Sequence, residues 1–168
     1  TPRGSLESWM RRDSLDDQQL ASSSDVQSSS ESMKKGVDAS GSGIIFDSRG
    51  YVLTCNHVVA GADSVWVNLE DGRRFEPAKI LTDPLTDIAV IQLAGAKSLP
   101  EATCGNSDDL KVGDWIVSIG NPYGLGLSVS AGIVSATERH LDNAPRTPLI
   151  QTDAGSNPGT SGGAVIDL

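Results

Sequence analysis

The pattern of apolar and polar positions after residue 41 predicts short β-strands. Brief apolar runs alternate with turn-forming residues, and the pair Asp71 and Gly72 supplies the positive φ angles of a tight hairpin. Ala89, Ile91 and Leu93 fall on one face of their run, as in a half-buried strand. Short strands at this even spacing indicate a β-barrel. The strands predicted in this first set are residues 44–46, 51–55, 65–69, 75–81 and 87–93.

A second set of strands follows a stretch of low apolar density. Pro100, Gly105 and Asn106 lie in that stretch, residues 97–110, which predicts a linker between two lobes. One helical turn is predicted around residues 57–60, directly after a strand. The strands predicted in the second set are residues 115–119, 128–137, 148–152 and 163–166.

The first forty residues differ from the rest. Serines cluster at residues 22–24 and 28–30 among charges of both signs, which is typical of a mobile segment. Leu6, Trp9 and Met10 fall at helical spacing and allow at most a short docked turn. We predict a mobile Ser-rich flank or regulatory loop over residues 1–40.

Charge and hydropathy exclude several classes of partner. The chain of 168 residues has a formal net charge of −9, so it lacks the basic surface of a nucleic-acid binder. No apolar run approaches the ~20 residues that span a bilayer, and the N-terminus has no signal-peptide pattern. We expect no nucleic-acid partner and no membrane span in this chain.

The two cysteines, Cys55 and Cys104, are too few for a disulfide scaffold and lack the paired spacing of a metal site. The apolar run around Cys55 favours a buried free thiol, with a Cys55–Cys104 disulfide as the alternative. His140 is interpreted as a solvated loop residue. We expect no cofactor and no metal.

Three residues carry the candidate chemistry. His57, Asp87 and Ser161 follow one of the known chain orders of the serine hydrolase triad. A serine hydroxyl needs a base within hydrogen-bond reach, and imidazole is well matched to that task near neutral pH. A carboxylate on the other ring nitrogen fixes the tautomer. We predict Ser161 as the nucleophile, His57 as the general base and Asp87 as the residue that orients it.

Two other acids compete with Asp87. Asp83 precedes Pro84 in a turn and is interpreted as a capping or solvated residue. Asp153 follows a strand and is expected to organise its loop by accepting backbone hydrogen bonds. Asp87 is preferred because it opens an apolar strand that would bury its carboxylate.

The sequence Gly-Thr-Ser-Gly-Gly at residues 159–163 predicts a sharp turn around the nucleophile. Developing negative charge on a scissile carbonyl needs fixed donors, and the backbone N–H groups of Gly159 and Ser161 converge if the chain bends there. Pro158 stiffens the approach to the turn. We predict Gly159 and Ser161 as the oxyanion donors.

These residues belong to longer motifs: residues 41–45 (Gly-Ser-Gly-Ile-Ile), 54–59 (Thr-Cys-Asn-His-Val-Val), 83–90 (Asp-Pro-Leu-Thr-Asp-Ile-Ala-Val), 113–115 (Gly-Asp-Trp), 119–126 (Ile-Gly-Asn-Pro-Tyr-Gly-Leu-Gly) and 151–154 (Gln-Thr-Asp-Ala). Through them, residues 41–168 resemble the protease domain of the HtrA (Deg, or Do-like) serine proteases. The resemblance assigns the same roles to His57, Asp87, Ser161 and Gly159.

The resemblance implies an all-β, chymotrypsin-like double β-barrel with the triad in the cleft between the lobes. The lobes would be an N-terminal β-barrel at 41–96 and a partial C-terminal β-barrel at 111–168, joined by the linker at 97–110. It also implies a serine endopeptidase that needs no cofactor, degrades unfolded or damaged proteins in protein quality control, and forms a homotrimer. The implied location is extracytoplasmic, in the periplasm.

The chain departs from the family pattern at three points. Thr160 stands where the family usually has Asn, and Ser156 stands where an aliphatic residue commonly lines the specificity pocket. Gly155 and Ser156 would make this pocket roomier and more polar, which predicts small to medium uncharged side chains at the cleavage site. Family members also continue past the serine, so we expect a truncated second barrel, a chain incomplete at both ends, and no PDZ domain here. Open barrel edges would make such a chain prone to aggregation.

Two other functions stay open at this point. The same barrels would suit a non-catalytic chaperone or scaffold that binds unfolded polypeptides, with the turn at Ser161 held in an inactive geometry. An esterase would use the same triad, but no helix is predicted after the Gly-Thr-Ser-Gly-Gly turn, as a Gly-x-Ser-x-Gly elbow between a strand and a helix would need.

Overall fold

A computed structural model describes residues 8–11, 40–141 and 144–168. The described chain is built almost entirely of strands, as the predicted all-β class requires. The strands are β1 (Ser8–Arg11), β2 (Ser40–Asp47), β3 (Tyr51–Cys55), β4 (Trp66–Leu69), β5 (Arg74–Phe75), β6 (Pro77–Asp83), β7 (Ile88–Leu93), β8 (Trp115–Gly120), β9 (Ser128–Leu141), β10 (Ala144–Thr152) and β11 (Ala164–Asp167). A helical turn, α1 (Asn56–Val59), follows β3, and two short 3-10 turns cover Ser107–Asp109 and Pro122–Gly124.

The first seven strands form one antiparallel sheet in the order β5-β4-β1-β2-β3-β7-β6. Strand β3 lies between β2 and β7, with Val52 opposite Ile91. Ala89, Ile91 and Leu93 on β7 are buried, so the alternation read from the sequence is confirmed. These side chains pack into one apolar core, whose buried members are Ile45, Val52, Val58, Val59, Val67, Leu69, Ala89, Ile91, Leu93 and Leu99.

The last four strands form a second antiparallel sheet in the order β10-β9-β8-β11. Its core is thinner and consists of Ile116, Val134 and Ala154, with Leu110 packed against it. Several large apolar side chains of this half are exposed, among them Trp115 on β8 and Val165 on β11. The second half is therefore less well packed than the first within the described chain.

The predicted flank was wrong in one place. Ser8–Arg11 form a strand that pairs with β2 on one side and β4 on the other, although no alternating pattern marks them. A strand of four residues can be fixed by backbone hydrogen bonds to two neighbours, which depend little on side-chain identity. Residues 1–7 and 12–39, the rest of that flank, lie outside the described residues.

Smaller differences concern strand ends and the predicted linker. Residues 75–81 divide between β5 and β6, and β9 continues to Leu141. Residues 97–110 form no strand and connect the two sheets, but Leu99 is buried in the first core. The N–H groups of Leu99 and Ala102 also donate to carbonyls of Ser48 and Ile45, so the start of this segment is fastened to the first sheet. No helix in the described residues is long and apolar enough to cross a membrane.

Candidate active site

His57 and Asp87 meet at one end of the first sheet. His57 lies in α1, immediately after β3, and Asp87 immediately precedes β7, the neighbour of β3. Oδ2 of Asp87 lies 2.6 Å from Nδ1 of His57, and Oδ1 accepts the backbone N–H of His57 at 2.8 Å. The carbonyl of Asp87 accepts the N–H of Asn56 at 2.9 Å. The imidazole and the backbone that carries it are thus held by the same acid.

This contact fixes the tautomer of the imidazole. An ionised carboxylate has only acceptors, so Nδ1 of His57 must carry the proton that it donates to Asp87. The other ring nitrogen, Nε2, is left with a free lone pair, which is the form that a general base needs. The side chains are 57% and 47% exposed, so solvent and a polypeptide substrate have access to both.

The expected burial of the Asp87 carboxylate was wrong. Asp87 lies in the turn before β7, with φ +57°, and not within the apolar strand itself. Its positive φ is uncommon for a residue with a side chain, although Asp tolerates it better than most. The turn orients the carboxylate toward α1 and solvent instead of the core.

The turn that precedes Asp87 is organised by Asp83, as its interpretation as a capping residue predicts. Oδ1 of Asp83 accepts the N–H of Leu85 at 3.0 Å, and Oδ2 accepts the hydroxyl of Thr86 at 2.8 Å. The Thr86 hydroxyl and the Leu85 N–H both lower the pKa of Asp83. Asp83 therefore helps to place Asp87 without contacting His57.

The chain that follows Ser161 reaches the same cleft from the second half of the molecule. The carbonyl of Ser161 accepts the N–H of Ser42 on β2 at 2.8 Å. Gly162 and Gly163, which follow it, line a cleft of about 640 Å³ together with His57 and Asp87. Gly162 has φ +84°, and a Cβ there would collide with the Ser42 carbonyl and the Thr54 hydroxyl, so only glycine fits this approach.

The peptide between Pro158 and Gly159 has a defined orientation. The Pro158 carbonyl accepts the N–H of Tyr123 at 2.8 Å, and in a trans peptide the Gly159 N–H points the opposite way. Gly159 has φ +99°, and a Cβ would lie 2.6 Å from the nitrogen of Tyr123. Glycine is therefore required here as well.

Among the residues that the structure describes, the N–H groups predicted as oxyanion donors are not used in the turn's own hydrogen bonds. Hydrogen bonds within the turn use the N–H groups of Thr160 and Gly163 as donors. Within the described residues, no backbone acceptor receives the N–H of Gly159 or Ser161. The predicted role as oxyanion donors requires that both groups be left unused in this way.

Ser42 is a positioning residue that the sequence reasoning missed. Its side chain is 1% exposed; the hydroxyl accepts the N–H of Asn121 and donates to the carbonyl of Gly159, each at 2.8 Å. Its N–H also donates to the carbonyl of Ser161. One buried residue on β2 thus holds the nucleophile turn at two points. The available signal was a serine between two glycines at the start of an apolar strand.

The predicted pocket residues lie beside this turn. Gly155 lines a small cleft of about 210 Å³ with Ser118, Asn157 and Thr160, whereas Ser156 is exposed and its hydroxyl lies 3.2 Å from that of Thr160. The Thr160 hydroxyl donates to the carbonyl of Asn157 at 2.7 Å. The threonine side chain is therefore used to close the loop.

Three other sequence interpretations have clear outcomes. Oδ1 of Asp153 accepts the N–H of Ile133 at 2.8 Å, which confirms its role in organising backbone. Cys55 and Cys104 are both free thiols, so the disulfide alternative was wrong. Cys55 is half-buried, and this burial raises the pKa of its thiol. The negative charge of Asp87 raises the same pKa to a smaller extent. His140 is exposed but lies on β9, not in a loop.

Comparison with known proteins agrees with this geometry. Residues 41–168 match the family model of the trypsin-like peptidase domain. A probable periplasmic serine endoprotease DegP-like from Pseudomonas fulva is 50% identical over 128 residues, which are 76% of this chain and 26% of that protein. A protein of the same description from Hahella chejuensis is 48% identical over 132 residues, or 79% of this chain and 28% of the relative. The chain thus spans about a quarter of the length of these curated relatives.

Solved structures give the same result for the fold. The structure titled HtrA-type protease AlgW with tripeptide is 37% identical, covers 98% of this chain and 48% of that chain, and superposes with a TM-score of 0.80. A second, titled HtrA-type protease AlgW with decapeptide, is 35% identical with a TM-score of 0.75 and covers 98% and 53% of the two chains. The predicted chymotrypsin-like β-barrel fold is confirmed.

Proposed function

Because this chain belongs to the trypsin-like peptidase family and has the HtrA/Deg type of that fold, we propose that it supplies the catalytic site of a serine endopeptidase. The observation that carries the proposal is the bidentate hold of Asp87 on His57, which leaves Nε2 of the imidazole as an acceptor. The cleft that contains this pair is also lined by the glycines after Ser161. His57 and the glycines after Ser161 come from different halves of the molecule and line one cleft.

In the proposed reaction, Ser161 attacks the scissile carbonyl and His57 takes its proton at Nε2. Asp87 holds the Nδ1 proton and stabilises the imidazolium that forms. The N–H groups of Gly159 and Ser161 stabilise the developing oxyanion, and each such donor contributes about 3 to 4 kcal/mol. His57 then returns the proton to the leaving amine, and water completes hydrolysis of the acyl-enzyme.

We further propose unfolded or damaged polypeptides as substrates, consistent with a role in protein quality control. The site supports this because the His57 and Asp87 side chains are about half exposed, so an extended chain can reach them. The relatives are named periplasmic endoproteases, which supports an extracytoplasmic location, and the HtrA resemblance supports a homotrimer. Gly155 and Ser156 would accept small to medium uncharged side chains.

A fluorophosphonate probe tests the activity, because it labels only a serine that an adjacent base activates. We expect labelling of the purified protein and of Ser107→Ala, which changes an exposed serine outside the cleft lining, and none of Ser161→Ala. Casein should be cleaved in parallel. Casein kept in solution by an unlabelled protein would instead support the chaperone or scaffold function, and labelling that survives Ser161→Ala would refute the assignment of the nucleophile.

Profiling the cleaved bonds of a peptide library tests the pocket. The proposal expects Ala, Val and similar residues before the cleaved bond. A dominant preference for Lys or Arg would contradict it, because neither Gly155 nor Ser156 supplies negative charge.

A further inference from the structure

A thiol lies beside the His57–Asp87 pair and has no part in the proposed reaction. Cys55 is the last residue of β3, next to the helical turn that carries His57, and its side chain lines the same cleft. Its Sγ, a ring nitrogen of His57 and a carboxylate oxygen of Asp87 all lie within 4.8 Å of one another. Three different donor atoms therefore surround one point at the edge of the cleft.

Thiolate, imidazole and carboxylate are the three side-chain groups that bind zinc in proteins. Zinc takes them at about 2.3 Å for sulfur and about 2.0 to 2.2 Å for nitrogen and oxygen, in tetrahedral geometry. Ligand atoms around one ion are then roughly 3.3 to 3.7 Å apart. The three atoms need to adjust by only about 1 Å to reach this spacing.

The side chains have the freedom to make that adjustment. His57 and Asp87 are each about half exposed, so each side chain has solvent on one side and can rotate by a small amount. The 2.6 Å separation of Nδ1 and Oδ2 must widen when an ion takes the place of the proton between them. The open cleft leaves the fourth position to water or to a substrate atom.

We propose that Cys55, His57 and Asp87 form an inhibitory site for Zn²⁺ or a similar thiophilic divalent cation. The inference rests on the proposed function for its consequence, but not for the binding itself. The ion binds Sγ of Cys55, Nδ1 of His57 and Oδ2 of Asp87. The thiol proton leaves to solvent, and the Nδ1 proton is replaced by one on Nε2.

This arrangement stops the reaction for a simple reason. A neutral imidazole has one acceptor nitrogen, so metal on Nδ1 leaves Nε2 as an N–H donor. Nε2 then cannot take the proton of Ser161, and Asp87 no longer holds the ring for catalysis. Proteolysis stops until a chelator removes the ion.

Cobalt spectroscopy tests the site independently of activity, because tetrahedral Co²⁺ bound by a thiolate has a near-ultraviolet charge-transfer band and strong visible bands. We expect these bands in the protein, in Ser161→Ala, and in Cys104→Ser, which removes the exposed cysteine outside the cluster. They should be lost in Cys55→Ser and in His57→Ala. Zinc should displace the cobalt and remove the bands.

Absence of the thiolate band in the protein, or its persistence in Cys55→Ser, would overturn the proposal. Far-ultraviolet circular dichroism of each variant separates loss of a ligand from loss of the fold. If Cys55→Ser is misfolded, Cys55→Ala serves in its place, and the same loss of the cobalt bands is expected with a smaller, apolar side chain.

Casein cleavage gives the second arm. Zinc should inhibit the protein and Cys104→Ser alike, with inhibition reversed by EDTA. The rate of each variant is compared with its own rate without zinc. Cys55→Ser should need at least about tenfold more zinc than the unchanged protein for half-inhibition. Residues that only hydrogen-bond to a metal ligand already contribute about 10- to 100-fold to metal affinity, and loss of a ligand should cost no less. Equal zinc sensitivity of the two cysteine variants would overturn the proposal. Cobalt bands without any proteolysis would refute the proposed function and leave the metal site intact.

Discussion

The two sheets contribute to one cleft in different ways. The first sheet has a continuous core of ten buried residues, and His57 and Asp87 are held by hydrogen bonds between its own neighbouring elements. The second sheet has a core of three, and its nucleophile turn is held partly from outside, by two hydrogen bonds from Ser42 on β2. The base is thus part of a well-packed unit, whereas the nucleophile depends on contacts across the cleft.

This difference identifies where the site is most sensitive. Packing positions the base, since β3 and β7 are adjacent and bring α1 to Asp87. Buried hydrogen bonds position the nucleophile, and removing one partner leaves the other polar group buried without a hydrogen bond, which lowers stability. Ser42, which has no direct part in the proposed reaction, therefore helps to place the nucleophile through two hydrogen bonds.

The strongest test is whether residues of the two sheets act as one unit. Ser161→Ala and His57→Ala should each lower kcat for a peptide substrate by about 10⁶-fold, and the double variant should be no slower than either. The reason is that nucleophile and base would take part in the same proton transfer in the proposed reaction. Single-turnover rates of the three variants measure this. Additive losses would mean that the two halves do not work together.

The contrast between the cores can be tested by a matched pair of substitutions. Ile91 and Ile116 are 0% and 1% exposed, one in each core. We expect Ile91→Ala to lower the free energy of unfolding by about 3 to 5 kcal/mol and Ile116→Ala by about 2 to 3 kcal/mol. The smaller core can collapse more easily around the lost atoms. Urea unfolding measures both, and a larger loss for Ile116→Ala would reverse the comparison.

The dependence of the nucleophile turn on β2 is tested by Ser42→Ala. The change leaves the buried N–H of Asn121 and carbonyl of Gly159 without partners, at about 1 to 3 kcal/mol each. We also expect kcat to fall by about 10²-fold, within the range found when an oxyanion donor is lost. KM should change little, because substrate binding is not the step affected.

Fluorophosphonate labelling and peptide hydrolysis measure the effect of Ser42→Ala, with Ser107→Ala as the exposed-serine control. An unchanged labelling rate in a folded Ser42→Ala protein would show that the turn is stable without β2.

The smallest effect is expected at the turn before Asp87. Asp83→Ala removes the carboxylate that accepts the N–H of Leu85 and the hydroxyl of Thr86. We expect kcat/KM to fall by less than about tenfold. A 1 Å misplacement of a reacting group costs about 10²-fold, and the shift of Asp87 should be smaller than that. Ser42→Ala should be the slower variant. The reverse order would mean that placing the base matters more than placing the nucleophile.

The same variant has a pH signature. The pKa of Asp83 is lowered in the folded protein, so its stabilising contribution is present above the ordinary carboxyl pKa and is lost as pH falls through the lowered value. The difference in Tm between the protein and Asp83→Ala should therefore be larger near neutral pH than in strong acid. If the difference in Tm became larger as the pH was lowered, the lowered pKa of Asp83 would not stabilise the folded protein as described.

Much of this comparison was accessible from the amino-acid sequence. The alternation along β7 was predicted, and the chain order of His57, Asp87 and Ser161 led to the chemistry that we propose. The exposure of the Asp87 carboxylate was not predictable, because it depends on a positive φ in a turn and on the N–H of His57 that receives it. Strand β1 was also missed, since backbone pairing to two neighbours leaves no alternating pattern in so few residues.

The sequence by itself determined which reactive groups exist, where turns allow glycine alone, and which strand faces are apolar, because these properties belong to single residues and their near neighbours. Only the tertiary structure decided that Ser42 holds Gly159, 117 residues away, and that Cys55 shares its space with His57 and Asp87. Such contacts arise from the pairing of strands distant in the chain. They depend on atomic positions that no local pattern contains.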